Sequence, residues 1–281
     1  MTSTPIGVTI FATDTSIDIV QLAREVEDRG FESLFVPEHT HIPASRKTPY
    51  PAGDPLPQEY YRTLDPFSAL AAAAAVTSTI KLGTGICLVA QHHEINLAKQ
   101  VATVDHVSDG RMVFGIGYGW NEDEMNSHGT AYKERRAVVR ERVLAMRALW
   151  TDEVASYEGE HVHLTPSYSW PKPKQAGGPP VLIGGAAGPK MFQAVVDYAD
   201  GWMPIGGRGL TENLPKLRKV AEEAGRDPEE IRISVFGSAP DPGKIEHFGT
   251  LGVDRVVLWL PPAPADVVLP ILDKYVDLIQ Q

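Results

Sequence analysis

The stretch 181-VLIGGAAGPKMFQAVVDYADGW-202 has the pattern of one strand, one turn, one helix and the start of another strand. Residues 181–183 are a short apolar run typical of a buried parallel strand, and residues 189–198 carry the apolar spacing of a helix. The turn between them consists of small residues, so its backbone N–H groups can approach a ligand without obstruction by a Cβ atom. A turn of this kind at a helix start can bind a phosphate, although it also suits a tight connection that binds nothing.

Similar strand-then-helix units recur along the chain. Short β-branched runs begin near residues 6, 33, 80, 112, 181, 202, 231 and 255, and each is followed by a helical pattern. About eight such units favour a closed barrel over an open doubly wound sheet, which usually has about five or six strands. We therefore predict an α/β fold, a (β/α)8 TIM barrel forming one domain over residues 1–281, with loop insertions after strands 2 and 4. Residues 157–164 are predicted to form a small hairpin in the second insertion.

The composition limits the possible partners and the cellular compartment. The chain has 26 Lys+Arg against 36 Asp+Glu, and its net charge of -10 disfavours nucleic acid or an anionic membrane as a partner. A single cysteine, Cys87, leaves no intramolecular disulfide and suits a reducing compartment. The N-terminus lacks the basic region of a signal peptide, and no apolar run approaches the roughly 18 residues of a membrane-spanning helix. These features predict a soluble cytoplasmic protein.

In a TIM barrel the reactive groups lie where the strands end, so the residues after each strand are the candidate site. After strand 2, Glu38 and His39 suit a general acid/base set, whereas His39 and His41 suit the metal pair of a hydrolase. A metal site needs further ligands from other strand ends. The corresponding positions at the ends of other strands carry Ile86, Trp120, Gly185 and Gly237, none of which is a metal ligand, so we predict no metal.

Glycines interrupt strands 3 and 4. Gly83 and Gly85 indicate a bulge, barrel curvature or the close approach of a flat ligand. Strand 4 ends in Gly117, Tyr118 and Gly119, which match a dinucleotide fingerprint only loosely because no third glycine opens a helix at the required spacing. This backbone suits contact with a polyol and a phosphate.

Several short motifs follow one another along the chain: 36-VPEH-39, 83-GTGI-86, 115-GIGYGW-120, 180-PVLIGGAAGPK-190 and 200-DGW-202. In this order they resemble the bacterial luciferase-like flavin-dependent oxidoreductases, and above all the subgroup that uses the deazaflavin coenzyme F-420. The resemblance extends from residue 6 to about residue 257 and is weakest in the last two strand-helix units.

The resemblance implies a barrel that binds its flavin or deazaflavin at the carboxyl ends of the strands. A bulge with a non-proline cis peptide is then expected at Gly85-Ile86, or at Ile86-Cys87, to support the ring. His39 takes the position beside the ring, with Glu38 as its acidic neighbour. Gly117, Tyr118 and Gly119 follow the ribityl-phosphate side. The turn that binds the phosphate consists of Gly184, Gly185, Ala186, Ala187 and Gly188.

Aromatic residues are predicted to form the substrate side of the site, because a large ring can stack on a ligand or exclude water from it. We assign Trp120, Tyr61 and Trp170 to the substrate pocket, and Trp202, at a strand start, to the core. The loop after strand 2, with Tyr50, Tyr60 and Tyr61, is expected to cover the site, and with residues 157–180 to set specificity. The polyglutamyl tail of the deazaflavin needs a local basic patch, for which the candidates are Arg46, Lys47 and Arg62.

The predicted activity is hydride transfer between coenzyme F-420 and a small organic substrate. The first alternative keeps the fold and uses FMN and oxygen, as a monooxygenase. The second is a metal-dependent hydrolase using His39 and His41, and the third is a barrel that binds flavin without catalysis. In sugar-phosphate dehydrogenases of this group a carboxylate follows the GxG turn, whereas here Trp120 follows it, which argues against that chemistry. From the family resemblance we expect a homodimer.

Overall fold

The computed structural model describes residues 4–279 and forms a closed barrel at its centre. Ten strands are present in the described chain: β1 (Ile6–Thr9), β2 (Ser33–Val36), β3 (Lys81–Thr84), β4 (Met112–Ile116), β5 (Ala155–Glu158), β6 (His163–Ser167), β7 (Val181–Gly184), β8 (Gly201–Met203), β9 (Arg232–Ser238) and β10 (Arg255–Trp259). Eight of them close the barrel in the order β1-β10-β9-β8-β7-β4-β3-β2, and all these pairs are parallel. The remaining two, β5 and β6, pair as an antiparallel hairpin.

Helices connect the barrel strands and surround them. They are α1 (Ile19–Asp28), α2 (Glu59–Arg62), α3 (Pro66–Ala74), α4 (Glu94–Val107), α5 (Glu122–Ser127), α6 (Arg135–Thr151), α7 (Pro189–Tyr198), α8 (Leu210–Glu223), α9 (Pro242–Thr250) and α10 (Ala265–Ile279). Several begin at a residue whose side chain caps the first turn, as Asp65 does for α3 and Asp241 for α9. Among the described residues, no helix has both the length and the apolar character that crossing a membrane requires.

The predicted TIM barrel is confirmed, including both insertions. The first insertion follows β2 and contains α2, and the second follows β4 and contains α5, α6 and the hairpin. The predicted domain limits, residues 1 and 281, lie outside the described residues.

Strand β3 begins next to the predicted residue 80 but is only four residues long. It ends at Thr84, and the next peptide, Gly85-Ile86, is cis, as the family resemblance implied. Beyond it, the Cys87 N–H donates to Gly115 O at 2.8 Å and the Leu88 N–H donates to the Glu38 carboxylate at 2.6 Å. The chain therefore bulges at the cis peptide and pairs again with the end of β4, through a parallel bridge between Cys87 and Ile116.

The interior of the barrel is filled by a compact apolar cluster: Phe35, Val113, Leu182, Met203, Phe236 and Val257. The glycines of β3 and its bulge make room for its two rings. A Cβ atom on Gly83 would lie 2.2 Å from the Phe35 ring, and one on Gly85 would lie 2.4 Å from the Phe236 ring. Larger residues at these positions would displace the rings, so the glycines allow the interior to close beneath the strand ends.

The outer surface of the barrel packs against the helices in one large core cluster, to which Leu22, Leu70, Leu97 and Val195 contribute fully buried side chains. Trp202 belongs to this cluster and packs edge-on against Phe192, with 5.7 Å between ring centroids. Its assignment to the core is confirmed.

Glu27 at the end of α1 ties this helix to the turn before β3. Its carboxylate accepts the N–H groups of Ser78 at 2.8 Å and Thr79 at 2.6 Å. Burial alone would raise the pKa of Glu27, but these donors lower it from 4.5 to about 2. The folded state thus favours the ionised form, and the resulting stability is complete above about pH 4.5 and disappears as the pH falls towards 2.

We expect Glu27→Gln to lower the free energy of unfolding near neutral pH by removing these charge-assisted bonds. The difference from the parent protein should shrink as the pH falls from about 4.5 towards about 2. Denaturant unfolding across this range measures it, with the exposed neighbour Asp28, changed to Asn, as the control. A difference that does not vary with pH would contradict this role for Glu27.

Candidate active site

A cavity of about 690 Å³ opens at the carboxyl ends of the barrel strands. Its size suits a cofactor together with a small substrate. Most of the predicted site residues line it: Glu38, His39, Gly85, Ile86, Gly117, Tyr118, Gly119, Trp120, Gly184, Gly185 and Ala186. Ala187 and Gly188 are not in its lining and lie just beyond it, at the start of α7. Residues from distant parts of the sequence therefore meet at one opening of the barrel.

Two residues predicted for the substrate pocket do not line the cavity. Tyr61 is 54% exposed and Trp170 is 61% exposed. Successive residues of a helix point about 100° apart, and in α2 it is Tyr60 that faces the cavity, which turns Tyr61 away. The segment with Trp170 lies outside the barrel along α4, where Lys99 Nζ donates to Trp170 O at 2.6 Å.

The expectation that residues 157–180 help to set specificity is not supported, because none of them lines the cavity. The loop after β2 does reach the cavity and lines it with Pro51 and Tyr60, as expected of a loop that covers the site.

His39 is held by a buried carboxylate. Its Nδ1 lies 2.9 Å and 3.1 Å from the two carboxylate oxygens of Glu124, a residue of α5, and both side chains are buried. A carboxylate acceptor at Nδ1 favours the ring form in which Nδ1 carries the proton. Nε2 is then the ring nitrogen available to a ligand in the cavity.

Sequence reasoning missed Glu124. It belongs to the run 122-EDE-124, in which Glu122 is exposed and Glu124 is fully buried. Three consecutive acids give no sign of which one faces the barrel. The only local signal is that Met125, next to it, is apolar and buried.

Glu38 lies beside His39, but both of its oxygens have partners. Oε2 accepts the Leu88 N–H at 2.6 Å, and Oε1 lies 2.6 Å from His92 Nε2. Burial would raise the pKa of Glu38, but the contacts with His92 and Leu88 keep it below its usual value. Glu38 therefore holds the segment that follows the cis peptide in place. This structural role differs from the acid/base role that the sequence suggested for Glu38.

Glu38, Cys87 and His92 are close enough to one another to be considered as metal ligands. Among residues 4–279 they are the group of three that meets this condition, with their ligand atoms within 4.8 Å of one another. Burial raises the pKa of the Cys87 thiol well above its usual value, so the sulfur stays protonated and Glu38 accepts a hydrogen bond from it. These contacts define a hydrogen-bonded support beneath the bulge.

His39 and His41 do not converge on a common point. His41 is exposed, and its Nδ1 lies 3.1 Å from Thr40 Oγ1, which in turn lies 2.8 Å from His128 Nε2. His39 binds Glu124 instead. The metal-hydrolase alternative required both histidines at one ion, and this arrangement does not provide it.

Ile86 forms an apolar part of the cavity lining. Ile86 follows the cis peptide, and its side chain lies against two glycines of neighbouring strands. A Cβ on Gly117 would lie 2.6 Å from Ile86 Cδ1, and a Cβ on Gly184 would lie 2.9 Å from Ile86 Cγ2. Only glycine leaves this side chain in place, so the three residues form one apolar platform.

The turn at residues 184–188 has features of an anion site. Gly185 has φ +146, which side chains rarely adopt, and its carbonyl accepts the Trp202 Nε1–H at 3.0 Å. Gly188 precedes α7 without a side-chain cap. Within residues 4–279, the N–H groups of Ala187 and Gly188 make no hydrogen bond. A helix start with free N–H groups can bind a phosphate.

Two arginines at the start of α6 line the cavity and add positive charge to it. The Arg136 guanidinium lies 4.2 Å from the Tyr118 ring centroid, and Arg135 lies 3.6 Å from that of Tyr132. The Arg135 Nε is buried and has no partner among the described residues. The sequence analysis overlooked this pair, although 135-RR-136 follows strand 4.

The predicted basic patch is largely neutralised. Arg46 donates to Asp54 at 2.8 Å, and Arg62 donates to Asp14 at 2.6 Å. The backbone N–H of Lys47 donates to the Asp123 carboxylate at 3.0 Å. Charges that already have carboxylate partners offer little to an anionic tail, so Arg135 and Arg136 are the better candidates.

The cavity combines an apolar platform, a turn with free N–H groups and a buried histidine–carboxylate pair at the open end of a TIM barrel, and this combination suits a redox cofactor. The comparison of the sequence with protein families agrees with this class. Residues 3–239 match the luciferase-like monooxygenase family, and the chain belongs to that family.

Similar proteins share most of the chain. It is 43% identical over 266 residues to an uncharacterized protein of Mycobacterium tuberculosis, covering 92% of this chain and 93% of that one. It is 30% identical over 229 residues to an F420-dependent glucose-6-phosphate dehydrogenase of Nakamurella multipartita, covering 76% of this chain and 60% of that one. The fold is similar to that of a monooxygenase from Streptomyces bottropensis, with a TM-score of 0.78, 22% identity and 98% coverage of both chains.

Proposed function

We propose that this protein is an oxidoreductase that transfers a hydride between coenzyme F-420 and a small organic substrate. The observation that carries the proposal is the buried His39–Glu124 pair, which lies in the same cavity as the Ile86 platform. The similarity to an F420-dependent dehydrogenase supports the choice of the deazaflavin. The family also includes flavin-dependent monooxygenases, so FMN is the alternative cofactor.

Each part of the cavity has a proposed role towards the coenzyme. When bound, the coenzyme supplies the hydride chemistry that side chains lack. Ile86, with Gly117 and Gly184 beside it, would support the ring. The turn at residues 184–188 would hold the phosphate, and Arg135 and Arg136 would contact the anionic tail.

The proposed role of His39 is to exchange a proton with the substrate oxygen through Nε2. When a carbonyl is reduced, the oxygen needs a proton, and when an alcohol is oxidised, the proton must leave. Glu124 holds the ring in the orientation and proton form that this exchange requires. Glu38 has a different proposed role, which is to position the bulge that supports the coenzyme ring.

Glu124→Gln is expected to lower turnover by roughly 10- to 10³-fold, because an amide holds the imidazole less firmly and does not stabilise its protonated form. Coenzyme affinity and the melting temperature should stay close to those of the parent protein. The exposed Glu122, changed to Gln, is the matched control on the same helix. Unchanged turnover in Glu124→Gln, or a changed His39 ring signal in Glu122→Gln by NMR, would count against this positioning role.

Dependence on oxygen separates the proposed reaction from the FMN alternative. Hydride transfer to an organic substrate needs no oxygen, so turnover with reduced coenzyme F-420 should persist under strictly anaerobic conditions. A monooxygenase consumes oxygen in proportion to product. Product formation that stops when oxygen is removed would overturn the proposal. The proposal also includes a homodimer, on the family resemblance, and a cytoplasmic location, on the composition of the chain. Sedimentation velocity tests the homodimer.

A further inference from the structure

Six aromatic side chains form a continuous arc along one wall of the cavity. This aromatic arc consists, in order, of Phe236, Trp259, Phe11, Tyr60, Tyr50 and Trp120. Successive ring centroids lie 5.5, 6.3, 4.8, 5.2 and 5.6 Å apart. All but Tyr50 line the cavity directly. The arc joins β9, β10, the β1 end, the loop after β2 and the β4 end into one apolar surface.

His39 contacts the arc at its Trp120 end. The His39 ring centroid lies 4.9 Å from that of Tyr60 and 6.2 Å from that of Trp120. A substrate whose reacting oxygen reaches His39 must therefore place the rest of its body against these rings.

The arc offers no free charge to a ligand. Arg46 lies 5.9 Å from the Trp120 centroid, but it donates to Asp54 and to Thr48 O. The hydroxyls of Tyr50 and Tyr60 lie 3.2 Å apart and bind each other. A substrate carboxylate or phosphate placed here would lose its hydration without gaining a counter-ion.

The ionised groups of the cavity lie elsewhere. Apart from His39, the lining has three residues of a type that is charged at neutral pH: Glu38, Arg135 and Arg136. Both oxygens of Glu38 are bonded within the protein. The two arginines stack on Tyr132 and Tyr118, beside the turns proposed to hold the coenzyme phosphate. The charged and apolar parts of the cavity are thus separated, which assigns them to different ligands.

From this separation we infer that the aromatic arc binds the substrate as an uncharged, largely apolar ring compound whose carbonyl or hydroxyl oxygen reaches His39. The inference rests on the proposed function of the cavity and names the substrate class for it. It excludes sugar phosphates, although a similar protein carries that substrate in its name. Apolar contact and ring stacking would provide most of the affinity, since the polar groups left on the arc are uncharged indole and phenol groups that cannot neutralise an anion.

A matched pair of ketones tests the inference by binding alone. The probes are 2-acetylnaphthalene and its carboxylate analogue 6-acetyl-2-naphthoate, with glucose 6-phosphate as a third ligand. Equilibrium dialysis measures each, with and without saturating coenzyme F-420. The neutral ketone should bind at least about tenfold more tightly than the carboxylate, because only the latter buries an unpaired charge. Tyr60→Ala should weaken binding of the neutral ketone by roughly 2- to 10-fold. Tyr168 is exposed and does not line the cavity, so Tyr168→Ala should leave this binding unchanged.

The outcomes separate this inference from the proposed function. Equal or tighter binding of the carboxylate or of glucose 6-phosphate overturns the inference, as does no binding of the neutral ketone under either condition. Preference for the neutral ketone in a protein that does not bind coenzyme F-420 supports the arc and overturns the coenzyme assignment. If Tyr60→Ala fails to fold, the preference of the parent protein for the neutral ketone or the carboxylate still tests the inference.

Discussion

Replacement of His39 by alanine is expected to lower turnover by roughly 10²–10⁴-fold, the usual contribution of a positioned general acid or base. The dissociation constant for coenzyme F-420 should change by less than about tenfold, because the platform and the anion-binding turn do not depend on this side chain. Steady-state kinetics and a binding titration on the same preparation measure both quantities. Unchanged turnover would remove His39 from the mechanism.

His41→Ala is the matched control for this prediction. His41 is exposed, interacts with Thr40 and His128, and does not line the cavity. Turnover should be close to that of the parent protein. If His41→Ala instead abolished activity together with a bound metal, the hydrolase alternative would replace the redox account.

Gly188→Asp is expected to weaken coenzyme binding by roughly 5- to 10³-fold. Two like charges about 4 Å apart repel by about 1 kcal/mol in bulk water and by about 4 kcal/mol near a protein surface, and these energies correspond to the two ends of that range. The site accepts a side chain, since no atom lies within 4 Å of a Cβ built on Gly188 and its φ of 161° is extended. An aspartate at this position caps α7, so the fold should be at least as stable. The loss should therefore appear in affinity and not in thermal stability.

Gly188→Asn is the control that isolates the charge. Asparagine has nearly the shape of aspartate and also caps a helix, but it carries no charge. Its coenzyme affinity should stay near that of the parent protein. Equal loss in both variants would indicate obstruction by the side chain, and normal affinity in both would contradict a phosphate at this turn.

The barrel could be predicted from sequence because its signals are local and repeated. A buried parallel strand is an apolar run, and a surrounding helix has a regular apolar spacing, so each unit is visible within about thirty residues. The early end of β3 was not visible in this way. It coincides with the cis peptide Gly85-Ile86, and the segment beyond is held by Glu38, which lies 50 residues before the Leu88 N–H that it accepts.

The site was harder to predict because it depends on contacts between distant residues and on small rotations of the chain. His39 and Glu124 are 85 residues apart, and nothing in the run of acids marks Glu124 as the buried one. Tyr60 and Tyr61 are adjacent and of the same type, yet only Tyr60 faces the cavity. The glycines predicted to lie at the site were easier to find, and most of them line the cavity. A glycine is visible in the sequence itself, and its missing Cβ leaves room for a neighbouring group.

The central claim is that this cavity binds coenzyme F-420, and a parallel titration tests it most directly. Coenzyme-free protein is titrated with coenzyme F-420 and with FMN, and binding is followed by the fluorescence of the intrinsic tryptophans, including Trp120 in the cavity wall. The account predicts micromolar or tighter binding of coenzyme F-420. Tight binding of FMN alone, or of neither compound, would contradict it.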